Sequence, residues 1–291
     1  MSIMQAVMRR LVTLTVKSHL NPRVSVATQR KRLNLLRYTP MPGGIRETHT
    51  TLAGIDTRRL TPTPSHGAIL YLHGGAYCTG SPDSHREMVA RIARSSEREA
   101  FILDYRLSPE SPYPAALDDA LAAYEALLAE HQDIVIMGDS AGGGLSMALT
   151  EALANTEYAQ PSALVLLSPW CDLTCEGPTI TGNKKIDPML HPDWLTSSAA
   201  MYAAETPLTD KGVSPLYGDM SGYPRTLIQV GSDEVLLSDA TRAEEAMKQA
   251  GVDVELQVYD GMWHVFQFHA AILKSSKKAV YKIGNFLKDN D

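Results

Sequence analysis

The sequence predicts an α/β fold: a mostly parallel sheet with helices on both faces. Three observations support this. From about residue 50, short apolar runs of strand length alternate with longer helix-patterned segments. Most of the strand runs are largely apolar, as expected of short buried strands covered on both faces. The chain has 291 residues, 44% of them hydrophobic and 21% charged, enough for one large core or two modest ones.

Residues 1–50 stand apart as an N-terminal cap segment, preceding a catalytic segment over 51–291. They carry nine Lys and Arg against the single acid Glu47, although the whole chain is at −6. Ile3, Met4, Val7, Met8, Leu11 and Val12 recur near helical spacing and predict an amphipathic helix. Such a helix can cover an active site or lie on an anionic membrane surface. Its short apolar stripe favours the cover, with at most a weak membrane contact. Arg9 and Arg10 interrupt any signal-like apolar core, and no uncharged run approaches the length of a membrane span. The expected location is therefore the cytoplasm, and three cysteines, few and odd in number, suit a reducing compartment.

Strand candidates follow at 67–72, 100–104, 134–137, 163–167, 226–230 and 254–259. Helix candidates fall near 83–95, 114–130, 141–154 and 238–250, with a last one after about 265. The stretch from about 170 to 222 breaks the alternation. Rich in Pro, Gly and polar residues and too long for a plain connection, it reads as a cap insertion that shapes a pocket. In such sheets the ligand site lies at the carboxyl ends of the strands.

Three strand ends carry chemistry. Gly138-Asp139-Ser140-Ala141-Gly142-Gly143 lies between an apolar strand and a helix, the pattern of a nucleophile elbow. It would lift Ser140 above the sheet, with the Ala141 N–H and the helix N-terminus ready for developing negative charge. A serine hydroxyl needs a base, and the base needs an acid to orient it. Asp233 follows the strand at 226–230 and His264 the strand at 254–259, giving the order Ser, Asp, His of α/β-hydrolases. Glu234 and Asp260 are the nearest rivals to Asp233, while Asp239 reads as a cap or a surface residue. The third site is His73-Gly74-Gly75-Ala76, a strand-end loop whose backbone N–H groups can converge as an oxyanion hole, with His73 explained by that turn. Cys171 and Cys175 lack a second Cys or His pair at metal spacing, so neither metal nor cofactor is expected. Cys78, close after the oxyanion loop, is a candidate for a pocket-side thiol.

At this point the chain resembles the hormone-sensitive-lipase-like group of α/β-hydrolases, the bacterial family IV carboxylesterases. The resemblance rests on LHGGAYCTGSPDSHR, LDYRLSPESPYPAALDDAL, GDSAGGGL, IQVGSDEVLLSD and GMWHVF, in that order, and spans about residues 52–290. It implies Ser140 as nucleophile, His264 as base, Asp233 as the orienting acid, and an oxyanion hole from Gly75, Ala76 and Ala141 within the Gly74–Ala76 loop and the elbow. It also implies a cap built from the N-terminal helices and the insertion. One departure is Ala76, where the family's usual third glycine is replaced; its N–H survives. The block Asp104-Tyr105-Arg106, with Pro109 and Glu110, reads as structural, with Asp104 and Arg106 as a local ion pair. The implied activity is hydrolysis of short- to medium-chain esters, and of lactones, through an acyl-enzyme. Amide or thioester cleavage and a non-catalytic small-molecule receptor on the same fold are the alternatives. The expected partner is a small-molecule ester, not nucleic acid, and homodimerisation is left open.

Overall fold

The computed structural model describes residues 2–288. Met1 and the last three residues of the predicted catalytic segment lie outside the described residues. The chain runs α1 (Ile3–Val12), α2 (Val26–Leu33), β1 (Ile45–Leu52), β2 (Ile55–Pro62), β3 (Ala68–Leu72), α3 (Pro82–Ser96), β4 (Glu99–Leu103), α4 (Ala115–Leu128), β5 (Ile134–Asp139) and α5 (Ala141–Ala154). It continues with β6 (Ala163–Leu167), α6 (Pro178–Gly182), α7 (Pro192–Ala203), β7 (Thr226–Gly231), α8 (Leu237–Gln249), β8 (Val254–Tyr259) and α9 (Lys274–Lys288).

All eight strands form one sheet in the order β1-β2-β4-β3-β5-β6-β7-β8. From β4 to β8 every pairing is parallel, so the strand ends that carry the sequence motifs share one edge. Side chains one residue apart leave a strand on opposite faces. Leu70, Ile136 and Leu166 accordingly pack with Ala120, Leu149 and Ala240 of α4, α5 and α8. Ile69, Val135 and Val165 pack with Val89 of α3 and Ile283 of α9 on the other face. Two cores therefore sandwich the middle of the sheet, which is why its central strands β3, β5 and β6 read as apolar runs.

The hairpin β1–β2 was not among the sequence-predicted strands. Its residues are mainly charged and polar, and β1 begins at Ile45, within the segment assigned to the cap. Its register depends on the turn and on ion pairs. Ala53 and Gly54 both have positive φ, the geometry of a tight two-residue hairpin turn. Arg58 bridges Glu47 and Asp83, and Arg59 pairs with Glu99 at 2.6 Å. β2 then joins β4 antiparallel and closes that side of the sheet.

Burial along the strands sets their mutational sensitivity. Leu166→Ala in β6 removes a fully buried side chain and is expected to cost about 2–5 kcal/mol in denaturant unfolding. Val258→Ala in the edge strand β8, where Val258 is 50% exposed, should stay within about 0.5 kcal/mol.

Candidate active site

Ser140 occupies the turn between β5 and α5 with φ 54° and ψ −123°, a backbone conformation that an L residue rarely adopts. The surroundings hold it there. Its N–H donates to Leu167 O at 2.9 Å, and its carbonyl accepts from Gly143 at 2.9 Å and Trp170 at 2.9 Å. The turn also needs close packing. A Cβ at Gly142 would run into the Leu72 carbonyl oxygen, so only glycine lets α5 leave this tightly beside β3.

His264 follows β8 and is buried, and like Ser140 it lines a cavity of about 320 Å³. Its Nδ1–H donates to Oε2 of Glu234 at 2.8 Å. That bond places the proton on Nδ1 and leaves the Nε2 lone pair free in the neutral ring. Glu234 is fully buried, and its other oxygen accepts the Gly231 N–H at 2.6 Å and the Ser168 hydroxyl at 2.8 Å. Ser168 in turn accepts the Val265 N–H at 3.1 Å, tying the acid to the histidine loop. Burial disfavours the imidazolium, but the Glu234 hydrogen bond and charge outweigh it, so the His264 pKa lies above the ordinary 6.5.

The sequence reading expected Asp233 beside His264, whereas the carboxylate that the structure bonds to the ring is Glu234. Asp233 faces outward, where Arg9 of α1 donates to its Oδ2 at 2.7 Å. The turn after β7 sends the two neighbouring side chains in different directions, and only Glu234 is fully buried against the histidine ring. The sequence held one usable signal: Glu234 is followed at once by the apolar pair Val235-Leu236. Ser168 and Asp187 were missed altogether. Asp187, in the insertion, accepts the N–H of Val235 at 2.9 Å and those of Met189 and Leu190 at 2.7 and 2.9 Å, fastening the insertion to the acid loop.

The expected oxyanion loop also needs a correction. The Gly74 N–H donates to Oδ1 of Asp139 at 3.0 Å, so it cannot serve an oxyanion. Asp139 is buried, accepts the Tyr71 hydroxyl at 2.8 Å and lies 3.4 Å from His85 Nε2. Burial would raise its pKa, yet His85 and these donors bring it below the usual carboxylate value. It therefore anchors the loop as an anion. Gly75 has φ 126° and lines the cavity, and Ala76 follows at φ 52°. Gly75 and Ala76 use backbone conformations that turn the chain sharply, and Ala141 opens α5 beside Ser140. His73 is buried, stacked on Tyr105 at 4.4 Å between centroids, and pushed down to about 3 by burial and by His85, so it stays neutral.

Three smaller expectations change. Arg106 pairs with Asp119 at 2.6 Å, not with Asp104. Asp239 is fully buried rather than a surface residue. It accepts the N–H groups of Cys171 and Asp172 at 3.1 and 3.0 Å, and burial with Asp172 beside it raises its pKa to about 7. Cys78 is buried away from the cavity lining, and burial pushes its thiol up to about 12.

The cavity walls are apolar. Val12, Val16, Leu33 and Leu36 come from the N-terminal segment, Met189 and Trp194 from the insertion, and Phe268 and Ile272 from the chain after His264. The N-terminal segment thus covers the site. Trp194 is held by its indole N–H, which donates to Gln29 at 2.9 Å and joins the two cap elements.

With this geometry established, three comparisons decide the family. A family model described as the alpha/beta hydrolase fold matches residues 69–268. An esterase of the bacterial hormone-sensitive lipase family has a crystal structure that superposes with a TM-score of 0.93 at 37% identity, over 99% of this chain and 98% of that one. This chain belongs to the bacterial hormone-sensitive lipase family of α/β-hydrolases. Its class is the ester hydrolases. An acetyl-hydrolase of Streptomyces hygroscopicus is 40% identical over 76% of this chain and 75% of its own length. An esterase of Acinetobacter venetianus is 35% identical over 88% and 86%. No described helix of this hydrolase is long and apolar enough to cross a membrane.

Two variants separate the neighbouring carboxylates. Glu234→Gln is expected to lower kcat by about 10³- to 10⁴-fold, and Asp233→Asn by less than about tenfold, in steady-state assays of matched enzyme. The thiol of Cys78 should resist alkylation in the native protein and react only in denaturant, read by mass-spectrometric peptide mapping.

Proposed function

We propose that this esterase cleaves short- to medium-chain carboxylic esters through a Ser140–His264–Glu234 triad. The observation that carries the reading is that Ser140 and His264, whose ring is held by Glu234, line one largely apolar cavity of about 320 Å³. The Ser140 oxygen attacks the ester carbonyl carbon as its proton passes to Nε2 of His264. The tetrahedral oxyanion is received by the N–H groups of Gly75, Ala76 and Ala141, beside the N-terminus of α5. His264 then protonates the leaving alcohol as the carbon–oxygen bond breaks. Water enters, gives its proton to the same nitrogen, and attacks the acyl-enzyme; return of that proton to Ser140 releases the acid.

Glu234 keeps the imidazole in the required tautomer and stabilises its cation at each proton transfer. The cavity is near the small end of small-molecule sites, and its apolar walls favour an acyl chain over a charged group. The acetyl-hydrolase relative supports the same size range. A lactone presents the same carbonyl and leaving oxygen within a ring, so it falls within the proposed substrates.

A p-nitrophenyl ester series from acetate to palmitate tests the reading. Rates should be highest for the short and middle chains, and Ser140→Ala should lose about 10³-fold or more. A maximum at palmitate would overturn the chain-length proposal, and equal rates on matched amides would overturn the preference for esters. The pH profile tests the base. His264 must be neutral to accept a proton, and its pKa is raised, so the acid limb of kcat/KM should fall above pH 6.5. Glu234→Gln removes the largest contribution that raises it, leaving burial opposed only by Asp187 and Asp139, so the residual limb should move to lower pH.

A further inference from the structure

The N-terminal segment has a second apolar face that covering the site does not use. Met8 and Val12 are the buried residues of α1, packed with Met262, Trp263 and Phe266. Ile3, Met4, Val7, Leu11 and Leu14 are exposed, from 49% for Leu11 to 87% for Ile3. Spacings of three and four put them on one stripe of the helix and the turn that follows, next to the buried face. The cavity reaches the surface at Leu36 and Ile272, which are both exposed and cavity-lining, and Val12 of the buried face of α1 lines the same cavity. Leu35 and Tyr38, also exposed, extend the apolar rim.

The N-terminal segment itself carries charge of one sign. Residues 1–46 contain nine Lys and Arg and no Asp or Glu. Arg9, Arg30 and Arg37 are neutralised by Asp233, Glu110 and Asp83. Arg10, Arg23, Lys31 and Arg32 are exposed and form no ion pair among the described residues. The rest of the chain carries the acid excess, so an anionic surface would attract this end and repel the remainder, orienting the molecule. A second copy fits less well, because pairing two such stripes would bring together two segments that each carry Arg10, Arg23, Lys31 and Arg32 without an ion-pair partner among the described residues.

We propose that this face docks the protein on an anionic lipid bilayer. The stripe of α1 enters the headgroup region, Arg10, Lys31 and Arg32 meet the phosphates, and the cavity mouth opens toward the membrane. The docking is independent of the chemistry proposed above, because it is read by binding alone.

Co-sedimentation of the full chain tests it, using phosphatidylcholine vesicles with and without about a third phosphatidylglycerol. Binding is expected only with phosphatidylglycerol and should weaken as salt rises and shortens the Debye length. Val7→Ser/Leu11→Ser and Arg10→Glu/Lys31→Glu should each lower partitioning at least about tenfold, with unchanged hydrolysis of a soluble p-nitrophenyl ester. Should the apolar pair fail to fold, the exposed charge pair decides. Absence of binding, or binding that neither pair of substitutions weakens, would overturn the proposal. So would a solution dimer that Val7→Ser/Leu11→Ser converts to monomer, since the stripe would then belong to a second copy.

Discussion

The buried carboxylate of Glu234 is the interaction on which the site depends. A carboxylate removed from water is costly unless hydrogen bonds replace its hydration. Here the Gly231 N–H, the Ser168 hydroxyl and the His264 ring supply them, and each comes from the chain after a different strand or from that strand's end. The loops following β6, β7 and β8 are therefore gathered around one anion. Their side chains cannot be moved singly, because releasing any donor leaves a buried charge less satisfied. The same logic recurs on the other side of Ser140. There Asp139 is held by Tyr71, Gly74 and His85, and through Gly74 it fixes the loop that carries Gly75 and Ala76. Two buried anions thus flank one strained serine.

The cap is attached to this machinery rather than laid over it. Arg9 reaches Asp233, Gln5 donates to Gly261 O at 2.9 Å, and Lys17 donates to Asp187 O at 2.5 Å. Asp187 binds the backbone of Val235, one residue beyond the acid. Asp233 and Glu234 consequently divide one turn between them: the outer carboxylate secures the N-terminal helix and the inner one holds the base. An exposed ion pair contributes little by itself, about 0–1 kcal/mol, but the Arg9 and Gln5 contacts land on the 232–235 and 260–264 loops, and Lys17 holds Asp187, which bonds Val235 in the first of them. Cap position and site geometry are coupled for that reason. The cavity lies between them, its lining drawn from the N-terminal segment, the insertion and the chain after His264 as well as from the loop after β3 and from α3.

The parallel core was legible in the sequence because its strands are buried on both faces. Each run of five or six apolar residues, followed by a helical pattern, has one reading at that length. The hairpin β1–β2 was not legible. Arg58, Arg59, Glu47 and Thr48 carry no apolar signal, and what makes them strands is the backbone pairing and the ion pairs made with residues elsewhere in the chain. Arg106 shows the same limitation, since its partner Asp119 is on α4 and not beside it. Asp239 was misread for a related reason: an acid in the first turn of a helix looks like a surface residue until the backbone of 171–172 is packed against it.

By itself the sequence determined the fold class, the elbow at Ser140, the strand end that bears His264 and the glycine loop after β3. These are local properties, because backbone strain, glycine requirements and strand-to-helix periodicity are written in adjacent residues. Tertiary structure alone decided which of two adjacent acids meets the histidine, which N–H of the 74–76 loop is already taken, and what encloses the cavity. Those outcomes depend on the direction in which a side chain leaves the backbone and on groups brought in from distant parts of the chain. A one-residue difference in position is invisible in the sequence of motifs, but it separates a carboxylate paired with Arg9 from one bonded to His264.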